Sequence, residues 1–441
     1  MGGLVKRGAV MKQKQSVELQ IPLQEEMLPV IVCCAENTAQ AFGFGKEEQL
    51  SLSLATEELF AFLSGQREDA GEMQFICRHG GYYLEASCLF PRRALPTKVF
   101  NRTASMSLDD EASLAEMGLL LAARTVDHFC LEMLSDNRMG LQLRLEKRYP
   151  QAIPEEFEAL PSLGFVLAEP EREALKQLAR RVLAVYGDSA PEFFHYPGKL
   201  VDMLGSGEYG AVLMQDGKGQ VGGAFLWQCG GKMAEGFGPY VFSEQGGMAV
   251  ALVEGALAKL ARSGIVCMTM RQPTAQAPAG YFEPLGEVDL TSVGGVTQRH
   301  TALYRQLEED NGMSVFANPA IEEFLRRQYE LLALPRKLQP AIYEGEEQLA
   351  DSILSTRLDR RKLTAFLAVL APGEDMQENL AMHVTALRKE NIKNIFFELD
   401  LGKAAEVEAA PAILAAGFTP QFVLPWGGQG DLLLLTLPEE A

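Results

Sequence analysis

The chain reads as an α+β protein in three parts, and three observations say so. Between Ser16 and Pro150, apolar-faced helical stretches accompany two β-like runs joined by His79-Gly80-Gly81, a hairpin signal. From Gly164 onward, strand and helix patterns alternate. The strand–helix–strand–helix order of residues 234–286 then recurs in the last third, which points to a weak internal duplication of topology.

The elements follow in order. Val17, Leu19 and Ile21 alternate, as a strand requires. Pro29 suits a helix start, and Val30–Phe42 carries an apolar face ended by Gly43 and Gly45. A second helix over Lys46–Ser64 sets Leu50, Leu54, Glu58 and Phe62 four apart. The runs Met73–Arg78 and Tyr82–Phe90 form the hairpin. Ser107 to Asp110 offer caps for a helix over Glu111–Phe129 with Leu114, Met117 and Leu121 inward, and Gly140–Lys147 supplies a last strand. The polar, Pro-containing stretch Gln151–Pro161 is a linker.

The second unit spans residues 164–311. It holds a helix over Glu171–Tyr186, a Pro-bearing loop, and strands Tyr209–Gln215 and Gln220–Gln228 joined at Asp216-Gly217-Lys218-Gly219. Strand Ala234–Phe242, helix Met248–Arg262, strand Ile265–Met270 and a short helix ending at Leu285-Gly286 complete it. The third unit, residues 312–441, offers helices over Asn318–Leu332, Met376–Lys389 and Ala404–Ala416. Its strands lie near Gln339–Tyr343, Ser352–Leu358, Lys362–Leu370 and Asn394–Leu399, with two more at the end.

Composition narrows the function. The 441 residues carry 40 basic and 59 acidic side chains, a net charge of −19. Residues 1–150 hold −4 of it and the rest −15. Nucleic acid and anionic membrane surfaces are poor partners for such a chain, whereas a cationic amine is favoured. No stretch approaches 18 uninterrupted apolar residues, and the seven cysteines form no C-x-x-C. These features predict a cytoplasmic protein with free thiols. The five histidines show no paired metal spacing, so no metal is expected.

Two glycine motifs compete for attention. Gly205-Ser206-Gly207-Glu208-Tyr209-Gly210-Ala211-Val212 fits the kinase glycine-rich loop, but H-R-D and D-F-G are absent and strands follow, so these are turn residues. Tyr240–Ala249 instead runs from a strand through Glu244-Gln245-Gly246-Gly247 into a helix, and a helix start approached through glycines is an anion site.

On these residues, 164–305 resemble the GNAT acyltransferase superfamily, which binds the pyrophosphate of coenzyme A on [RQ]-x-x-G-x-[GA]. Gly247 and Ala249 match; Glu244 stands at the first position. A carboxylate some 5 Å from a phosphate costs about 3 kcal/mol at an effective dielectric of 20. The resemblance implies acetyl-CoA as cofactor, with Val241 and Phe242 giving strand backbone contacts to the pantetheine. Gly246, Gly247, Met248 and Ala249 would hold the pyrophosphate. Glu235, on the strand before the loop, is the candidate general base through water. The family's acid tyrosine falls at Phe282, with Tyr281 one residue away. The third unit resembles a partial second copy.

Residues 16–148 resemble the anti-sigma-factor kinases of the GHKL ATPase superfamily, an α/β sandwich, through Leu28-Pro29, the Leu52–Phe62 helix and the Met117-Gly118-Leu119-Leu120-Leu121 helix. Glu58 matches the glutamate of E-x-x-x-N, with Phe62 at the asparagine. Ala86–Pro91 lacks the D-x-G-x-G element. Glu58 and Gly118 thus mark a degenerate nucleotide site, and Mg·ATP is not expected. Two functions follow. One is an acyl-CoA-binding N-acetyltransferase with a regulatory N-terminal domain, acting on an amine. The other is a non-catalytic partner-switching protein that docks a sigma factor or its antagonist.

Overall fold

A computed structural model describes residues 15–65, 71–91, 101, 103, 111–133, 138–153, 160–161, 164–342 and 349–438. The expected cap at Ser107–Asp110 and most of the Gln151–Pro161 linker lie outside them.

The first unit comprises β1 (Ser16–Pro22), α1 (Leu28–Ala41), α2 (Lys46–Gly65), β2 (Glu72–His79), β3 (Tyr83–Pro91), α3 (Glu111–Thr125), β4 (His128–Met133) and β5 (Arg138–Glu146). Its sheet is antiparallel throughout, in the order β1-β2-β3-β5-β4. Pro29 sits in the first turn of α1, where a missing N–H costs nothing. Ile31, Ala35, Leu52, Leu59 and Leu63 of the helices bury against Phe75, Leu84 and Leu143 of the sheet.

Two expectations are corrected here. Leu50 is 70% exposed, because the face turned inward on α2 is Leu52, Ala55, Leu59 and Leu63. Strict four-residue spacing drifts around a helix of 3.6 residues per turn, so the Leu50/Leu54/Phe62 stripe is not the core face. Likewise Leu121 of α3 is exposed, while Leu119 and Ala122 are buried. That helix ends at Thr125, and the residues after it turn back as β4.

The second unit comprises β6 (Val166–Ala168), α4 (Arg172–Tyr186), α5 (Pro197–Ser206), β7 (Tyr209–Gln215), β8 (Val221–Gly230), β9 (Met233–Val241), α6 (Met248–Leu260), β10 (Cys267–Met270), β11 (Glu283–Thr291) and β12 (Thr297–Gln306). They make one mixed sheet, β11-β12-β10-β9-β8-β7-β6. The expected loop after α4 contains α5, with Pro197 in its first turn. The expected helix ending at Leu285-Gly286 is strand β11, whose Leu285 and Val288 bury in the core.

The third unit comprises β13 (Met313–Ala317), α7 (Pro319–Leu331), β14 (Arg336–Pro340), β15 (Ile353–Asp359), β16 (Thr364–Ala371), α8 (Met376–Lys389), β17 (Asn394–Asp400), α9 (Ala404–Glu408), α10 (Ala410–Ala415), β18 (Thr419–Leu424) and β19 (Leu432–Leu437). Pro411 divides the expected Ala404–Ala416 helix into α9 and α10. Its larger sheet runs β15-β16-β17-β19-β18. The pairing senses are antiparallel, parallel, antiparallel, antiparallel. The run β8-β9-β10-β12-β11 has the same order and senses. In each run one helix, α6 or α8, links the two parallel strands.

One hydrophobic core passes between these two units, from Met233, Cys267 and Leu285 to Leu399, Phe422 and Leu433. A charged weld reinforces it. Arg336 meets Asp310 at 2.9 Å and Asp431 at 2.7 Å, all at most 2% exposed. The Trp426 indole N–H donates to Asp310 at 3.1 Å, and Arg336 lies over its ring at 5.2 Å. No described helix is long and apolar enough to cross a membrane.

Candidate functional site

The β9–β10 pairing is short. Met233, Ala234 and Glu235 align in parallel with Cys267, Met268 and Thr269, and pairing stops there. Beyond Glu235 the outer edge of β9, which runs on toward the start of α6, is not paired with β10. Gly247 is the N-cap of α6 with φ +74°, a left-handed conformation that favours glycine. Gly246 and Gly247 are exposed, and a Cβ added to either meets nothing within 4 Å. The first N–H groups of a helix have no intrahelical acceptor, and groups of this kind are anion donors.

The loop is braced from behind. The Gln245 side-chain amide accepts from Phe165 N–H at 2.8 Å and donates to the Phe165 carbonyl at 3.1 Å. Ser243 Oγ accepts from the Gln245 N–H at 3.2 Å. Glu244, the position at odds with the family motif, points to solvent, where screening weakens its repulsion of an anion. Phe242 and Met248 are core side chains, 3% and 2% exposed. The expected pantetheine contact at Phe242 is corrected here: its N–H donates to the Gly222 carbonyl at 2.8 Å and its carbonyl accepts from the Leu160 N–H at 3.0 Å, so its backbone is already paired, and Met248 offers only its backbone.

Along β9 itself the edge is engaged. The Val241 N–H donates to Tyr186 Oη at 2.9 Å. Thr274 N–H donates to the Gly238 carbonyl at 3.2 Å, and its hydroxyl to the Pro239 carbonyl at 2.5 Å. Tyr281 Oη donates to Glu254 at 2.6 Å.

Glu235 lies where the strands separate and joins a line of alternating charges. Arg271 is 3.1 Å from Glu235 and 2.5 Å from Glu398, and Arg357 is 3.3 Å from Glu398. Burial works against the Arg271 charge, but Glu235 and Glu398 outweigh it and hold its pKa above the usual value. Burial alone would raise Glu398; the two arginines override it and hold its carboxyl below the ordinary range. The third unit's strands β15 and β17, which carry Arg357 and Glu398, therefore complete the floor beneath Glu235.

Above that floor opens a cavity of about 490 Å³ between the two units. Glu192 and Phe193 from the α4–α5 connection face Asp359 and Lys362 across it. Burial, then the nearby Asp359, raises the Glu192 pKa. Lys362 Nζ donates to the Ser189 carbonyl at 3.1 Å and Gln272 Oε1 at 3.2 Å, and burial lowers its pKa.

The corresponding loop of the third unit is filled by its own chain. Asp375 Oδ1 accepts from the Ser352 N–H and hydroxyl, at 2.5 and 2.7 Å. A Cβ on Gly373 would lie 2.4 Å from the Ser352 backbone nitrogen. In the first unit, the half-buried Glu58 carboxylate lies over Gly118, so the structure does bring these two residues together. Ala86, Ser87, Cys88 and Phe90 are buried in the central strand β3. Among the described residues no three His, Cys, Asp or Glu converge on a metal position.

Sequence reasoning named Glu235, Val241, Phe242 and Gly246–Ala249 as the candidate site; of these, the Phe242 backbone is paired with Gly222 and Leu160. It missed Tyr186, Arg271, Thr274 and Glu398. Their partners are 35 to 127 residues distant in sequence, and no local pattern announces such contacts.

No protein-family model matches the chain, and no curated protein does. Solved structures of acetyltransferases resemble about a third of it. A GNAT superfamily phosphinothricin acetyltransferase from Sinorhizobium meliloti, in complex with AcCoA, is 18% identical over 33% of this chain and 89% of its own, with a TM-score of 0.28. An aminoglycoside 6'-acetyltransferase type Ii is 15% identical over 33% of this chain and 98% of its own, with a TM-score of 0.26. A GNAT-family N-acetyltransferase from Escherichia coli, in complex with CoA, is 16% identical over 35% of this chain and 87% of its own, with a TM-score of 0.24.

Proposed function

We propose that the second unit binds acetyl-CoA and transfers its acetyl group to an amine. The observation that carries this reading is the parting of β9 from β10 after Glu235, which opens a slot toward the glycine-bearing start of α6. The donor set fits the group: unpaired helix N–H donors with no side chain over Gly246 or Gly247 suit a pyrophosphate. Bound acetyl-CoA would supply an activated acyl group as a thioester.

The chain's own residues do the rest. The backbone N–H groups of Gly246, Gly247, Met248 and Ala249 hold the pyrophosphate. The backbone of Val241 aligns the pantetheine. Glu235 takes up the amine proton through water, with Arg271 fixing its carboxylate in place. The cavity beside it is lined by Glu192, Glu235 and Asp359 together with Arg271, Arg357 and Lys362, and the amine enters on its Glu192 and Asp359 side.

The test is isothermal titration of the full chain with acetyl-CoA, paired with Glu244→Gln. Saturable binding that Glu244→Gln leaves equal or tighter supports the reading; no heat and no thermal stabilisation sink it. At a hundred times its Kd a ligand adds about 2.7 kcal/mol to stability, enough to read in a melting transition.

The second reading is a non-catalytic, cytoplasmic regulator in which the degenerate GHKL-like unit, marked by Glu58 and Gly118, docks a sigma factor or its antagonist. The engagement of Glu235 by Arg271 and of the β9 edge by Tyr186 favours it. Partner capture by a protein that binds no acetyl-CoA is its distinguishing result.

A further inference from the structure

The β9 edge that a pantetheine arm needs is not bare, and its present occupants belong to the chain. Tyr186 is the last residue of α4. Its ring stands edge-on to Tyr240 and Phe242, at centroid distances of 5.1 and 6.2 Å, which aims the hydroxyl past the strand. There it accepts the Val241 N–H at 2.9 Å and approaches the Val241 carbonyl and Gln276 Oε1, each at 3.4 Å. One hydroxyl thus stands where the alternating acceptor and donor of a ligand amide would stand.

The segment from Arg271 to Ala277 closes the slot from the other side. It carries no helix or strand, and it is pinned to β9 by both hydrogen bonds of Thr274 and to itself by Ala277 N–H on the Thr274 carbonyl at 3.1 Å. Both stoppers are polar and reversible. Tyr186 Oη makes one well-set bond and two long ones, and Thr274 meets only backbone carbonyls of the edge. The bonds they make to the edge go to its backbone groups, so a ligand that offers equivalent amides can replace each one for one.

We propose that Tyr186 and the 271–277 strap form a latch that holds the cofactor edge of β9 in the ligand's place, and that acetyl-CoA seats only by displacing it. The inference rests on the acetyl-CoA reading of the same slot. Affinity for acetyl-CoA then includes the cost of opening, and whatever loosens the strap switches the site on. Tyr186→Phe removes the acceptor of the Val241 N–H in the latched form alone, since the bound form gives that N–H to the ligand. Thr274→Val does the same for the hydroxyl bond to Pro239.

The test is calorimetric titration of the full chain with acetyl-CoA for the native protein, Tyr186→Phe and Thr274→Val, each checked for an unchanged circular dichroism spectrum. The latch predicts about tenfold tighter binding for Tyr186→Phe, equivalent to about 1.4 kcal/mol, and a smaller gain for Thr274→Val. Amide hydrogen exchange supplies a second readout. Saturating acetyl-CoA should release protection at Thr274 while Val241 stays protected. Binding by the native protein with equal or weaker affinity in both variants, and Thr274 still protected, overturns the latch and leaves the acetyl-CoA reading standing. Binding by the variants but not the native protein supports the latch outright. Silence in all three removes the cofactor reading, and the latch goes with it.

Discussion

Glu398→Gln is the sharpest probe of how the two repeats hold each other. Glu398 sits at 13% side-chain exposure between Arg271, at 21%, and Arg357, at 52%. The amide keeps the shape and one acceptor oxygen but removes the charge. Loss of the charge-assisted contact to Arg271 costs about 1.5–3 kcal/mol. The Arg357 contact is half-exposed and adds about 0–1 kcal/mol. Glu235 still faces Arg271 at 3.1 Å, so the guanidinium is not abandoned, and the full 3–5 kcal/mol of an orphaned buried charge does not apply. The expected loss is therefore about 1.5–4 kcal/mol. Guanidinium denaturation followed by tryptophan fluorescence measures it, since both tryptophans, Trp227 and Trp426, lie in these two units. A loss below about 0.5 kcal/mol would refute the view that this charge line ties the units together. So would a double-mutant cycle with Arg271→Met that shows no coupling.

Three further outcomes are expected. The stability gap between the native protein and Glu398→Gln should shrink as pH falls below the ordinary glutamate value of 4.5. A carboxyl whose folded pKa is depressed stabilises above its unfolded pKa and loses that contribution as pH drops through the folded one, so parallel denaturation series at pH 7 and pH 4 read the difference. Gly247→Ala should cost about 1–2 kcal/mol from its φ of +74° alone and weaken acetyl-CoA binding, whereas Gly246→Ala, with no such φ and open space, should be nearly silent in both measurements. Asp431→Ala should lose about 2–4 kcal/mol by denaturation, because the fully buried Arg336 loses its Nε and Nη2 partner and keeps only the Asp310 contact. Asp310→Asn should cost less, since it leaves the two-point Asp431 pair intact and keeps an acceptor oxygen at position 310.

Much of this architecture can be read from the chain where the periodicity is strong. Helices α1, α2, α4, α6, α7 and α8 match their expected spans within about three residues, because caps, prolines and terminal glycines frame their apolar faces. What escaped was amphipathic or short. Strand β12 begins Thr297-Gln298-Arg299, all exposed, and gives no apolar run to notice. Strand β11 was hidden by Pro284-Leu285-Gly286, which resembles a helix end, although Val288 and Leu290 alternate as a strand would. At the candidate site, glycines at a strand–helix junction leave a local trace, so the junction itself was legible. Tyr186 and Thr274, which engage the β9 edge, reach it through tertiary contacts over 55 and 35 residues. Trp426 sits in a turn with φ +59°, and its stacking under Arg336 depends on a residue 90 positions earlier, which no local pattern announces.

The weld of Asp310, Arg336 and Asp431 bears on how the protein can be taken apart. The boundary at residues 311/312 looks like a natural place to cut, yet Asp310 on one side of it is bonded to Arg336 and Trp426 on the other. A fragment ending there would strand a buried carboxylate and bare the Leu285, Val288 and Tyr304 face that Phe422 and its neighbours cover. Such a fragment should precipitate, and its inactivity would say nothing about the slot beside β9. A chain nicked at the same point should instead migrate as a single species until denaturant separates the pieces. For this protein, the smallest unit on which chemistry can be assayed is the pair of repeats.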